Sequence, residues 1–341
     1  MEPSKRQRVE YRATLPLPDG VIGTRTWPGT EPFSGLPSLS NAHIQTFPGD
    51  DYLSDLPVKS GQVGIGITTK DRWDDLAVTL SELSAQGYED VETIVIDDGS
   101  KQPLPQALRT KFPKVRFERV DRCLGLVVQR NRLAGMLSST YYLSLDDDSF
   151  PVAGDISKAG VWLENHPSVV ALALQIVERD DVVPSLDTLG DPFPVRYYRG
   201  CAHLVRRKQF LEVGGYLERL HYCCEEIDFC LKALRLGFSI FAYPGVIIRH
   251  NRTPVARDSL KWARYYIRNE AILGLLYFPF PFSILRAANC LRMLSDRKCN
   301  HHLVTQLLGW LEALFSVITW RKLRRPLSMA QFRAWKELPF A

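Results

Sequence analysis

The sequence predicts an α/β fold, a mostly parallel central sheet flanked by helices with a helical extension after it. Two observations carry this. From Val63 onward, short apolar, β-branched runs of strand length alternate with stretches whose leucines recur at helical spacing. Acidic clusters then follow two of those runs directly, Asp97-Asp98 after Val91–Ile96 and Asp146-Asp147-Asp148 after Tyr141–Leu145. Sheets of this kind bind ligands outside the carboxyl ends of their strands.

Taken in order, Val63–Thr69 reads as the first strand. Asp74–Gln86 follows as a helix carrying Leu76, Leu80 and Leu83 and stopped by Gly87, and Val91–Ile96 is the next strand. That is one right-handed parallel unit. The pattern repeats with a helix at Leu104–Lys111, a strand at Val115–Arg119, a helix at Val127–Leu137 and a strand at Tyr141–Leu145. A helix at Ile156–Asn165, a strand at Val169–Val177, a loop over residues 178–195 and a segment at Gly200–Val205 come next. A helix at Glu226–Leu236, a strand at Ser239–Tyr243 and an apolar run at Val246–Ile248 complete the sheet. Residues 1–60, rich in Pro, Gly and Ser, read as an extended arm; residues 61–255 form the α/β domain and residues 256–341 a helical region.

The chain has 341 residues, 45% hydrophobic and 24% charged, long enough for one large α/β core. Its net charge of +5 suits an anionic partner such as a nucleoside diphosphate or a lipid phosphate, and no nucleic-acid partner is expected. Met1 to Arg8 lacks the apolar run of a signal peptide, and the seven cysteines are an odd number. Both observations point to reduced thiols and a cytoplasmic protein.

Each cluster supports two readings. Asp97-Asp98-Gly99-Ser100 suits a turn, or a carboxylate that meets a ribose where glycine lets the backbone approach. Asp146, Asp147 and Asp148 at the end of a buried strand would repel one another without a cation, and the side chains of 146 and 148 fall on one side of an extended chain. Mg²⁺ or Mn²⁺ takes such oxygen ligands while holding substrate phosphates; a solvated acidic loop is the alternative. Glu225-Glu226-Ile227-Asp228 opens a helix, where acidic residues either offset the dipole or supply a general base. Arg130 on its helix is either an exposed charge or a diphosphate ligand, and His250 ends an apolar run as either a core residue or a metal ligand.

In series, Thr68-Thr69-Lys70-Asp71-Arg72, Asp97-Asp98-Gly99-Ser100, Gly125 with Arg130-Asn131, Asp146-Asp147-Asp148, Gly214-Gly215-Tyr216, Glu225-Glu226-Ile227-Asp228 and His250 resemble glycosyltransferase family 2 over roughly residues 62 to 275. Tyr265-Tyr266-Ile267-Arg268-Asn269 resembles its rhamnosyltransferase-like branch. The resemblance implies a GT-A type nucleotide-diphospho-sugar transferase fold and an inverting transfer from a UDP- or dTDP-sugar to a hydroxyl of a glycan or lipid-linked acceptor. It also implies residue roles. Thr69 and Asp71 line the nucleotide pocket, Asp98 contacts uridine or ribose, and Arg130 contacts the nucleotide or its phosphates. Asp146 and Asp148 are the outer aspartates of the Asp-x-Asp motif, Asp148 the more direct ligand of Mn²⁺ or Mg²⁺, and His250 completes the shell. The acceptor base in this family is usually the Asp of a Glu-Asp pair; here Glu226 stands at that position, with Glu225 in front as second choice.

Two rival functions share parts of this pattern. A nucleotidyltransferase would want a glycine-rich loop after the first strand, and Ile67-Thr68-Thr69-Lys70-Asp71-Arg72 has no glycine. A non-catalytic binding protein has no need of carboxylates at all three sites. Residues 271–285 and 303–320 are apolar but interrupted, so they suit buried helices, or an interfacial anchor with Trp310, Trp320 and the basic run Arg321-Lys322-Leu323-Arg324-Arg325. The second reading adds peripheral contact at the inner face of the cell membrane.

Overall fold

The computed structural model describes residues 59–252, 258–294 and 303–341, so the arm expected over residues 1–60 lies almost wholly outside the described residues. The first half of the chain alternates as the hydrophobic pattern requires. Strands β1 (Lys59–Thr69), β2 (Thr93–Asp97), β3 (Arg116–Arg119) and β4 (Ser139–Asp146) are separated by helices α1 (Trp73–Ala85), α2 (Gln106–Lys111) and α3 (Leu126–Met136). Next come β5 (Ser149–Gly154), α4 (Ile156–Glu164), β6 (Val169–Glu178), the short β7 (Phe193–Pro194), β8 (Ala202–Arg206) and α5 (Arg207–Glu212). They are followed by α6 (Glu225–Arg235), β9 (Ser239–His250), α7 (Ser259–Tyr277), α8 (Phe282–Leu294), α9 (Leu303–Trp320) and α10 (Met329–Glu337).

The strands order as β3-β2-β1-β4-β8-β6-β9-β5, with β7 on β9. From β3 to β4 all neighbours are parallel, as the sequence predicts. Beyond β4 the sheet is mixed: β8 runs antiparallel to both β4 and β6, and β5 antiparallel to β9. The sequence reading has no strand at β5, an edge strand where the missing N–H of Pro151 costs no ladder bond. Ser239–Tyr243 and Val246–Ile248 prove to be one strand, β9, whose pairing with β6 shifts register at Leu174/Gln175 to pass Pro244-Gly245.

Alternation along the strands sends side chains to two cores. Ile65, Ile67, Val95, Leu143 and Leu145 meet Leu76, Leu80 and Leu83 of α1 and Ile156 and Leu163 of α4. On the opposite face, Ile94, Ile96 and Tyr142 meet Val127 and Leu133 of α3, Phe210 of α5 and Phe229 of α6. A third cluster joins Leu231 of α6 to α7 through Ile267, Ile272 and Leu276, and on to Phe332 of α10. Helix starts follow local chemistry: Asp155 accepts from Ser157 N at 2.8 Å before α4, and Ser328 with Gln331 forms a capping box at α10.

Candidate active site

The parallel register sets the carboxyl ends of three strands abreast, pairing Thr69 with Asp97 and Thr68 with Asp146. The first two loops are then stitched together. Asp71 N donates to Ser100 Oγ at 2.7 Å and Lys101 N donates to Asp71 Oδ1 at 2.7 Å. Asp71 has φ +55, a left-handed turn that folds its carboxylate back onto the second loop.

Asp147 is fully buried and held from three sides. Thr69 Oγ1 donates to its Oδ2 at 2.8 Å, Arg72 Nε donates to Oδ2 at 3.0 Å and Arg72 Nη2 pairs with Oδ1. Burial pushes this carboxyl up to about 7, while Arg72 and Thr69 pull the other way. Arg72 also reaches Asp148 Oδ2 at 3.2 Å. Thr69, expected in a nucleotide pocket, is 3% exposed and spends its hydroxyl proton on Asp147.

Asp98 and Arg130, expected to contact the nucleotide and its phosphates, are both satisfied by partners within the chain. Asp98 is 6% exposed and accepts from Leu124 N at 2.8 Å, Gly125 N at 2.9 Å, Gln129 Nε2 at 2.6 Å and Cys123 Sγ at 2.9 Å. Its carboxylate fastens the start of α3. Arg130, 2% exposed, meets three carboxylates. Nη2 lies 2.7 Å from Asp146 Oδ1, and Nη1 lies 2.8 Å from Glu225 Oε1 and 3.3 Å from Glu226 Oε1. Without this cation the carboxylates would repel one another in a poorly solvated site.

The two glutamates differ in access. Glu225 has 1% of its side chain exposed against 16% for Glu226. Burial, then the neighbouring Glu225, pushes Glu226 up to about 8 against the pull of Arg130. Gly200 makes the arrangement fit, since a Cβ there would overlap Glu226 Oε1 and Arg130 Nη1. The turn before α6 is rigid. Asn131 Nδ2 donates to Tyr216 O at 2.9 Å and Tyr216 N donates to Asn131 Oδ1 at 2.8 Å, so Gly214-Gly215-Tyr216 is not a free loop tip. Asn269 of α7 fastens the same region by donating to Tyr222 O at 2.8 Å and Cys223 O at 3.0 Å.

Beside these carboxylates, ligand atoms of Asp146, Cys201 and His250 lie within 4.8 Å of one another, a spacing one ion spans. His250 is 6% exposed, and among the described residues its Nε2 makes no hydrogen bond, which fits a metal ligand. Asp148, expected to be the more direct ligand, has one oxygen on Arg72 and the other 3.4 Å from His250 Nε2, while Asp146 is grouped with Cys201 and His250. Burial alone would lower His250; Asp148 and Cys201 outweigh it and push it up to about 10.

The sequence reading gave no part in this site to Cys201 and no chemistry to Arg72. Cys201 arrives only through the antiparallel pairing of Leu145 with Ala202, which sets it beside Asp146 across 55 positions of chain. No local spacing signals that neighbour. Arg72 was legible as part of a motif, but its pairing with Asp147 and Asp148 depends on the fold of the loop after β1.

Comparisons with known proteins bear on the fold. Residues 65–216 match the family model described as glycosyl transferase family 2. No curated protein matches the chain by sequence. Among solved structures, GalNAc-T7 with UDP, GalNAc and Mn²⁺ superposes with a TM-score of 0.54 at 15% identity, covering 79% of this chain and 59% of that one. A mannosyltransferase of Pyrobaculum calidifontis with GDP-Man and Mn²⁺ gives 0.51 at 15% identity over 84% of each chain. Residues 1–349 of Staphylococcus aureus TarS with UDP-GlcNAc give 0.51 at 14% identity, covering 74% of this chain and 79% of that one. The chain thus spans less than two thirds of GalNAc-T7, and at these identities the likeness speaks for the fold.

Proposed function

We propose that this chain, a glycosyltransferase by its family 2 domain at residues 65–216, is an inverting, divalent-metal-dependent enzyme. On this reading it moves a sugar from a nucleoside-diphosphate sugar, UDP- or dTDP-linked, to a hydroxyl of a glycan or lipid-linked acceptor. The carrying observation is the convergence of Asp146, Glu225 and Glu226 on Arg130, next to the Asp146–Cys201–His250 group. One side of that cluster offers ligands for a cation and the other offers a carboxylate able to take a proton.

Asp146 and His250 would hold Mn²⁺ or Mg²⁺, which when bound offsets the charge that develops on a departing diphosphate. Glu226 is the base: it is the more accessible glutamate, it stands at the head of α6, and its raised proton affinity suits it to take a hydroxyl proton near neutral pH. Arg130 holds Glu226 and Asp146 from opposite edges of one guanidinium, which fixes the base relative to the metal side. Asp98, Asp71 and Thr69 shape the loops that face the nucleotide, through their bonds to α3, Ser100 and Asp147.

The helical region supports a reading of the acceptor and the setting. α9 exposes Val304, Phe315 and Ile318, and Arg321, Lys322 and Arg325 lie exposed just after it. Residues Leu303–Leu323 are long and apolar enough to cross a membrane, yet α9 packs along α7, where a Cβ on Gly309 would overlap Arg264 O and where Arg264 pairs with Glu312. That arrangement supports an enzyme lying on the cytoplasmic face of a membrane and taking a lipid-linked acceptor.

The test is a panel of nucleotide sugars with Mn²⁺, Mg²⁺ or EDTA, following release of nucleoside diphosphate. One donor should be hydrolysed slowly in a metal-dependent way. Folded protein that neither binds nor cleaves any donor overturns the reading.

A further inference from the structure

The group at the end of β4 mixes donor types. Asp146 offers oxygen, His250 nitrogen and Cys201 sulfur, and the three sit within 4.8 Å of one another. Cys201 is 7% exposed, and its position is set by more than chance packing. Ser149 Oγ donates to Cys201 O at 2.9 Å and accepts from Asp146 N at 2.8 Å, so one hydroxyl locks both backbones. Ser149 is also paired in register with His250 across β5 and β9. One residue therefore fixes all three members of the group. Among the described residues the buried His250 Nε2 makes no hydrogen bond, and it lies 3.4 Å from Asp148 Oδ1.

We propose that Cys201 is a thiolate ligand of the divalent ion, and that it makes the centre discriminate against Mg²⁺ in favour of Mn²⁺ and softer ions. This rests on the metal-dependent transferase reading and names the ion its site prefers. Mg²⁺ demands oxygen ligands in near-ideal octahedral geometry and gives up water reluctantly, whereas sulfur and imidazole suit softer first-row metals. Coordination forms a metal–sulfur bond, and the thiol proton leaves to solvent.

The experiment is a Co²⁺ titration of the full chain, with and without UDP, read by thiolate-to-cobalt charge-transfer absorption, with Mn²⁺ and Mg²⁺ as competitors. Wild type should show the band, with Mn²⁺ displacing Co²⁺ at far lower concentration than Mg²⁺. Cys201→Ser should lose the band, bind Co²⁺ about tenfold or more weakly and narrow the Mn²⁺ to Mg²⁺ gap. Cys201→Ala guards against a folding defect peculiar to serine and should behave alike at unchanged melting temperature. Co²⁺ binding by wild type without the band, no Co²⁺ binding at all, or a band that persists in Cys201→Ser overturns the sulfur ligand. The transferase reading is judged separately by donor hydrolysis with Mn²⁺. Hydrolysis without the band leaves that reading standing alone, and the band without hydrolysis leaves only the metal site.

Discussion

Arg130 Nη1 of α3 lies 2.8 Å from Glu225 Oε1 at the head of α6, with 2% and 1% of the two side chains exposed. The same guanidinium holds Asp146 and Glu226. Arg130→Met would leave three carboxylates without their cation, and removing one partner of a buried pair costs about 3–5 kcal/mol. Urea unfolding in EDTA should show a loss of that order. A midpoint unchanged from wild type would mean that the carboxylates do not depend on Arg130.

Glu226→Gln keeps the shape of the side chain and removes the proton acceptor. Transfer should fall by about 10²–10⁴-fold, the usual share of a general base, with donor binding unchanged. Glu225→Gln should instead lower stability, since it weakens the buried contact with Arg130. Transfer retained by Glu226→Gln and lost in a folded Glu225→Gln would move the base to Glu225.

The first half of the fold was legible because its strands and helices are each a local pattern. Ile65 and Ile67, or Leu76, Leu80 and Leu83, announce their element from neighbours in sequence alone. The mixed half was not, since the direction of β8 between β4 and β6 is decided by tertiary packing. Asp97 and Asp146 stand out for a related reason: each ends an apolar strand. What Arg130 and Asp98 do with their charge was hidden, because their partners lie 95 positions away at Glu225 and 26 positions away at Leu124. Sequence supplied the charged groups, and the fold decided which of them face each other.

The proton affinity of Glu226 fixes a sign for the pH dependence. Burial and the neighbouring Glu225 raise its proton affinity, and it must be ionised to take a proton. kcat/KM should therefore rise with pH through the neutral range, by up to about tenfold per unit, and level off at higher pH. The residual rate of Glu226→Gln should lack this rise. A wild-type profile flat from pH 6 to about 9 would remove Glu226 from the role.

Gly200 faces Glu226 and Arg130 so closely that no side chain fits, with Arg130 Nη2 only 2.6 Å from where a Cβ would stand. Gly200→Ala has to displace the base or its clamp. Overpacking of this kind costs about 1–3 kcal/mol, and a shift of the base should lower turnover more than it raises KM. Equal activity with an unchanged melting temperature would show that the clamp is loose.

The helical region makes a prediction independent of catalysis. Phe315 and Ile318 are 72% and 62% exposed on α9, and Arg321 and Lys322 follow within a turn or two. Each large apolar side chain buried in a bilayer interface contributes about 1.5–3 kcal/mol, and each basic residue near an anionic surface about 1 kcal/mol. Phe315→Glu with Ile318→Glu should weaken sedimentation with phosphatidylglycerol vesicles by about 100-fold or more. Donor hydrolysis should be unaffected, because neither residue takes part in the carboxylate cluster. Arg321→Glu with Lys322→Glu should weaken binding to those vesicles and leave the weaker binding to neutral phosphatidylcholine unchanged. If the apolar pair can be replaced with no change in vesicle binding, α9 is not the membrane-facing element, and its exposed face must meet protein instead.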